Sequence, residues 1–204
     1  MHIRPLSIPG AFEFTPVIRG DERGAFVETY RFESLEEAAG HPLTLRQANL
    51  STSSKAVARG IHYALVPPGQ AKYVSAPHGA FIDFIVDIRV GSPTFGQWDS
   101  VVIDDKDRRM VYLAEGLGHA IVALTEGATV SYLVSEVYSP ERELSLNLLD
   151  PEIGLVFPFN PESLVTSARD TEAPSLAEAA ERALLPRWDE CNAYYDSLKT
   201  GNSA

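Results

Sequence analysis

Residues 80–90 alternate strictly: Ile82, Phe84, Val86, Ile88 and Val90 fall on one face, Asp83, Asp87 and Arg89 on the other. A period of two is the signature of a β-strand. Residues 129–135 repeat it, with Val130, Tyr132 and Val134 together. Shorter runs predict strands near 12–18, 25–31, 43–51, 56–64, 71–76, 97–103, 109–113 and 120–124, separated by turns rich in Gly, Pro and Asp. Many short strands at this spacing predict a sandwich or barrel.

Helical signals are few. Ser34-Leu35-Glu36-Glu37 reads as a capping box before a short stretch ending at Gly40. Ser175-Leu176-Ala177-Glu178, after Pro174, reads as a second box opening a run that stops before Pro186. A last short helix is expected over 188–198. The fold class is therefore mainly β with a few short helices, mostly C-terminal. No linker, repeat or low-complexity segment breaks the chain. A single domain over 1–204 is expected, with its barrel over about 43–165 and its C-terminal helical segment over about 174–198. Residues 200–204 are expected to fray.

Composition narrows the function. The formal net charge of −11 argues against a nucleic-acid or anionic-membrane surface. A small anionic ligand stays possible, because a few arginines in a cleft override the global field locally. Cys191 stands alone, so no disulfide forms within the chain, which fits a reducing cytoplasm. The N-terminus lacks the apolar run of a signal peptide, and no segment is long and apolar enough to span a membrane.

The chemistry concentrates in Arg59-Gly60-Ile61-His62-Tyr63 and Lys72, on adjacent strands joined by Pro67-Pro68-Gly69. A histidine can take a proton and a lysine can hold negative charge, which suits proton removal beside a ketone. His62 alone reads equally as a core histidine. Arg59, Lys72 and His119 in similar settings weigh against that, since several buried cations need a wet or ligand-filled cavity. Strict alternation puts Arg59 and His62 on opposite faces, so a shared pocket requires a bulge or twist at Gly60. His119, after Gly116-Leu117-Gly118, reads as a hydrogen bond across a turn or as a cavity residue. Tyr132 reads as a core tyrosine or a general acid. Asp170, on a polar loop, reads as a solvated turn residue or as the carboxylate orienting His62. Ala64 occupies the position two after His62, and His78 and His119 stand apart, so no metal site is expected.

With these residues in place, the chain resembles the dTDP-4-dehydrorhamnose 3,5-epimerases, cupin-type double-stranded β-helix (jelly-roll) barrels. The resemblance runs from about Gly10 to Pro186. It is carried by Asp21-Glu22-Arg23-Gly24 with Phe26 and Glu28, Gln47-Ala48-Asn49, Arg59 to Tyr63, and Gln70-Ala71-Lys72. Further motifs are Val86-Asp87-Ile88-Arg89, Ser92-Pro93-Thr94-Phe95-Gly96, Gly118-His119, Tyr132, Tyr138 with Glu143, Asp150-Pro151, and Ser167 to Asp170. The resemblance implies a cofactor-free enzyme acting on a dTDP-4-keto-6-deoxy sugar. It implies His62 as base held by Asp170, Lys72 stabilising the enolate, and Tyr132 as acid. It assigns Arg59 and Arg169 to the diphosphate, and Arg23, Glu28, Gln47 and Asn49 to the nucleotide. Tyr138 would stack on thymine, and His119 and Glu143 would line the substrate site. It also implies a homodimer whose N-terminal residues help build the neighbouring site.

Three positions depart from the commonest pattern. Ala64 stands for a glutamine, Leu133 for a lysine, and Ala168-Arg169 for Ala-Lys. These resemble the subgroup that tailors deoxysugars for natural products. With fewer polar groups beside His62 and Tyr132, inversion at C5 ahead of C3 is expected. A sugar 3,4-ketoisomerase is the alternative enzyme, disfavoured by Ala64 where that group shows a second histidine. A non-catalytic sugar-nucleotide-binding barrel is the alternative outside enzymes, and it gives no reason for a base–acid pair.

Overall fold

The computed structural model describes residues 1–200, with the backbone alone at Thr200. The tail expected to fray lies, past Thr200, outside the described residues.

Thirteen strands are numbered in chain order. Those of the first sheet are β1 (His2–Pro5), β2 (Ala11–Thr15), β5 (Gln47–Ser53), β7 (Lys72–His78), β10 (Met110–Leu113) and β12 (Ala128–Val134). They pair in the order β1-β2-β10-β7-β12-β5. The second sheet holds β6 (Ala58–Ala64), β8 (Ala80–Val86), β9 (Trp98–Asp104), β11 (Gly118–Ala123) and β13 (Glu143–Ser145), in the order β13-β6-β11-β8-β9. A hairpin, β3 (Arg19–Asp21) with β4 (Gly24–Phe26), stands apart. Every pair is antiparallel, giving the mainly β, cupin-like barrel that the pattern and the resemblance predict.

One apolar cluster fills the space between the sheets. Val74, Val111 and Leu113 meet Phe81, Ile85 and Ile103 there, all fully buried, while Phe14, Tyr73 and Tyr112, of opposite parity, continue the cluster on the outer face of the six-stranded sheet with Tyr30 and Leu35. A second cluster covers the outer face of the five-stranded sheet, where Ile61, Phe84 and Val122 meet Leu146, Leu148, Leu176 and Ala179 from the C-terminal segment. Both faces of β8 are therefore buried. The Asp83 side of its alternation looks into the barrel, which is why a lone carboxylate there matters.

Several boundaries shift. β8 ends at Val86, and Asp87 and Arg89 form a wholly buried ion pair beyond it. Arg89 donates to both Asp87 oxygens at 2.8 and 2.7 Å and to the Pro9 carbonyl at 2.9 Å. The Ser92 and Thr94 hydroxyls each donate to Asp87 at 2.6 Å. The guanidinium lies over the Trp188 ring, 4.6 Å from its centroid, and so fastens the last helix to the barrel. The strand expected over 25–31 forms only to Phe26, as the end of β4, and the segment expected from 43 starts at Gln47. β1 and β13 carry too few apolar residues to show a period.

Helix α1 spans Phe32–Ala39, so Ser34 lies inside it and makes no capping box. The cap position falls on Arg31, whose guanidinium is held by Glu28 at 2.8 Å, and Leu35 is the residue the helix buries. Gly40 ends it at φ 81°, as its position predicts. The second box forms: Ser175 Oγ accepts the Glu178 N–H at 3.2 Å while Ser175 N–H donates to Glu178 at 2.8 Å. A one-turn helix α2 (Ala168–Thr171), α3 (Leu176–Glu181) and α4 (Trp188–Thr200) complete the chain.

Candidate active site

A cavity of about 340 Å³ opens between the two sheets, and most of the candidate residues line it. Its geometry depends on one bulge. His119 of β11 faces His62 of β6, yet Ile121 faces Arg59. Three steps on β6 thus oppose two on β11, and the extra residue returns Arg59 to the side of His62. Gly60 makes this possible at φ 132°. A Cβ there would stand 2.5 Å from the Ala120 Cβ and 2.6 Å from the His119 carbonyl. The bulge expected at Gly60 is present.

His62 and Asp170 form a close polar pair at 2.7 Å. The His62 Nε2–H donates to Asp170 Oδ1, leaving the other ring nitrogen with its lone pair. Asp170 sits on α2 rather than on an open loop, and is almost fully buried. Ser167 caps that turn, the Gly60 N–H reaches Asp170 Oδ2 at 3.4 Å, and the Leu148 N–H donates to the Asp170 carbonyl at 3.0 Å. Burial would raise the Asp170 pKa, but the hydrogen bond and charge of His62, with Gly60 and Ser167, bring it below its ordinary value. Burial lowers the His62 pKa, and Lys72 and Arg169 act in the same sense, against the pull of Asp170. The pair thus rests as carboxylate and neutral imidazole, the state of a base awaiting a proton.

Lys72 opens β7 on the facing sheet and is buried. Burial lowers its pKa, opposed by the Glu143 and Asp83 carboxylates. Among the described residues its ammonium has no hydrogen-bond partner, so its donors remain for a ligand. Tyr132 also stands on the facing sheet, between Asn49 and Val74 of the neighbouring strands. Burial raises its pKa, Glu143 adds to this, and Arg59 opposes it. A basic imidazole and a protonated phenol therefore confront each other across the cavity.

The remaining lining is polar and pre-set. His119 Nε2–H donates to Asp83 Oδ1 at 2.9 Å, a bond across the sheet to β8 rather than across its own turn. Gln47 donates to Asn49 at 2.7 Å and accepts the Tyr138 N–H at 3.1 Å, which holds the exposed Tyr138 at the cavity edge. Glu143, brought in by β13, accepts from Gln70 at 3.2 Å and from the Ser139 N–H at 3.3 Å. Arg59 is steadied by Ser53 at 3.3 Å. Arg169 lies just outside, in a cleft shared with Arg59, His62 and Asp170, and bonds Ser145 at 3.1 Å and the Glu143 carbonyl at 3.2 Å.

Two candidates are not brought in. Arg23 is exposed and paired with Asp21, and Glu28 is paired with Arg31; neither lines the cavity of this protomer. Sequence reasoning passed over Asp83, Gln70, Ser51, Ile121 and Val130 as lining or supporting groups. Asp83 carried a readable signal, a charge within an apolar strand. The expectation built on Leu133 needs correction. Leu133 has the opposite parity to Tyr132 and pairs with Tyr73 on the outer face of the sheet, so it takes no donor from the cavity. Ala64 stops short of the cavity, and Gln70 supplies an amide there instead. Among the described residues no three His, Cys, Asp or Glu side chains gather as a metal would need.

Comparison with known proteins points the same way. The family profile described as dTDP-4-dehydrorhamnose 3,5-epimerase matches residues 5–178. A dTDP-4-dehydrorhamnose 3,5-epimerase of Mycolicibacterium smegmatis is 52% identical over 199 residues, 98% of each chain. The solved rmlC epimerase of Mycobacterium tuberculosis superposes with a TM-score of 0.94 at 44% identity, covering 97% of this chain and 100% of that one. A 3′-monoepimerase of Streptomyces bikiniensis, solved in complex with dTDP-quinovose, gives a TM-score of 0.93 at 44% identity over 98% of this chain and 100% of that one. A match of this extent, on a barrel whose bulge, dyad and facing phenol are all in place, establishes that the chain belongs to the dTDP-4-dehydrorhamnose 3,5-epimerase family.

Proposed function

We propose that the protein is a cofactor-free epimerase of a dTDP-4-keto-6-deoxy sugar, in dTDP-rhamnose or antibiotic-sugar formation. The observation that carries this is the opposition of His62 on one sheet to Tyr132 on the other, with Lys72 lining the same cavity from the strand next to that of Tyr132. The C4 ketone acidifies the hydrogens on C3 and C5. His62 takes one of them, and Asp170 stabilises the imidazolium that forms. Lys72 holds the enolate oxygen, an interaction that is strongest when charge develops. Tyr132 returns a proton from the opposite side, which inverts the centre.

The same reading assigns Arg59 and Arg169 to the diphosphate, Gln47, Asn49 and Tyr138 to the nucleoside, and His119 and Glu143 to the sugar. It includes a homodimer in which Arg23 and Glu28 serve the neighbouring cavity. Exposed Val17, Ile18, Phe26 and Leu50, with β5 open at a sheet edge, support that assembly. It also includes a cytoplasmic location, supported by the buried free thiol of Cys191; no helix among the described residues is long and apolar enough to cross a membrane.

The basis for favouring C5 weakens once Leu133 faces away from the cavity, so the proposal covers inversion at C5, C3 or both. One base cannot reach both hydrogens in a single pose, so double inversion requires the ring to turn. The test is NMR of dTDP-4-keto-6-deoxyglucose with the protein in D₂O. Deuterium at an inverted C3 or C5 is expected. Migration of the ketone would show a 3,4-ketoisomerase, and an unchanged substrate would show a binding protein.

A further inference from the structure

The strands that carry Lys72, His119 and Tyr132 come together at one buried carboxyl outside the cavity. Glu115 lies four residues before His119 and is 2% exposed. Its Oε1 accepts the Ser135 hydroxyl at 2.9 Å. Ser135 follows the end of β12, three residues beyond Tyr132. Its Oγ in turn accepts the Ala71 N–H at 2.8 Å, and its own N–H donates to the Ala71 carbonyl at 3.1 Å. Ala71 immediately precedes Lys72. The Glu115 stem also packs under the Pro67-Pro68-Gly69 turn: a Cβ on Gly69 would stand 2.6 Å from that of Glu115. Tyr195 of α4 donates to the Glu115 carbonyl.

We propose that Glu115, acting through Ser135, is a positioning residue that fixes the entry of β7 and with it the Lys72 ammonium against the enolate. The proposal rests on the epimerase reading. Nothing else among the described side chains holds the Lys72 ammonium by a hydrogen bond, so its place is set by its backbone. That backbone is anchored at Ala71 by two bonds to a single serine, and the serine is anchored by Glu115. The other Glu115 oxygen, Oε2, is buried with no partner, so the carboxyl is not kept for a saturated hydrogen-bond network. Burial raises its pKa against the hydrogen bonds it accepts. Glutamine keeps the oxygen that accepts from Ser135 and is the conservative replacement.

The experiment compares Ser135→Ala, Glu115→Leu and Glu115→Gln, each alone and with Lys72→Ala, by steady-state kinetics and deuterium wash-in. Misplacing a group that acts in the transition state lowers kcat rather than raising KM. Displacement of about 1 Å costs up to about 10²-fold. Ser135→Ala and Glu115→Leu are expected to lower kcat about 10–100-fold with KM within about twofold. Glu115→Gln is expected to keep most of kcat. In the Lys72→Ala background the same changes are expected to add less than about twofold, because the group they position is gone. An unchanged kcat in Ser135→Ala would overturn the proposal, as would an equal loss with and without Lys72. Should Glu115→Leu fail to fold, the Ser135→Ala cycle still decides. A wild-type protein that washes in no deuterium would instead contradict the epimerase reading, whatever the variants do.

Discussion

At His62 burial and a carboxylate pull in opposite directions, and burial wins. The base must be neutral to act, so activity falls as pH drops through its pKa. With that pKa held below the ordinary histidine value of about 6.5, the acid limb of log(kcat/KM) is expected below pH 6.5. Asp170 raises the His62 pKa, so Asp170→Asn is expected to move the acid limb lower still and to reduce the plateau, since the imidazolium loses its counter-charge. An acid limb that shifts upward in Asp170→Asn would show that His62 is not the titrating base. Tyr132→Phe keeps the ring and removes the hydroxyl. Deuterium exchange at the first carbon is expected to outlast net inversion in this variant, and equal loss of both would remove Tyr132 as the acid. At this scale the sequence was informative where polar groups interrupt apolar runs: a histidine, a lysine and a tyrosine. Asp83 was harder to place, because the face it occupies becomes interior only once the second sheet closes over it.

The element that matters most is β6, where one extra residue re-aims Arg59. Gly60→Ala would force a Cβ into contact with Ala120 at a φ that side chains rarely adopt. Left-handed strain and overpacking together are expected to destabilise the protein by about 2–4 kcal/mol. Turnover of the fraction that stays folded is expected to fall more than about tenfold, since Arg59 and His62 no longer share a face. Urea unfolding and kinetics on the same sample check this, and wild-type stability with wild-type rate would mean that the bulge can form without glycine. The bulge was legible because two cations needed one pocket and a glycine stood between them. The Ser34 box was misleading for a complementary reason. A capping pattern is local, and here the burial of Leu35 and the Arg31–Glu28 pair set the start of the helix instead. The β13 strand had no signal of its own, because three residues carry no period and it exists only by pairing with β6.

Across the whole molecule, the motifs around Asp87, Arg89 and Ser92 turn out to hold α4 on the barrel rather than to contact the cavity. Arg23 and Glu28 pose the larger question, since one protomer leaves them outside its own site. In the proposed dimer each cavity borrows them from the partner. Mixing Arg23→Ala with His62→Ala subunits is then expected to restore up to about a quarter of wild-type activity at equal ratio, from hybrids with one intact site. No recovery on mixing, with subunit exchange verified, would place Arg23 outside the neighbouring site. The barrel was readable from strand spacing because turns punctuate it regularly, whereas contributions between subunits leave no periodic trace in one chain.

The central claim is that His62, held by Asp170 at 2.7 Å, is the base that opens the reaction. Its most direct test is the rate of solvent deuterium wash-in to dTDP-4-keto-6-deoxyglucose by His62→Ala and by wild type, with dTDP affinity and circular dichroism measured on both. The account requires wash-in to fall about 10²–10⁴-fold while affinity and fold are kept. Wash-in at a rate close to wild type would make His62 a core histidine and contradict the mechanism.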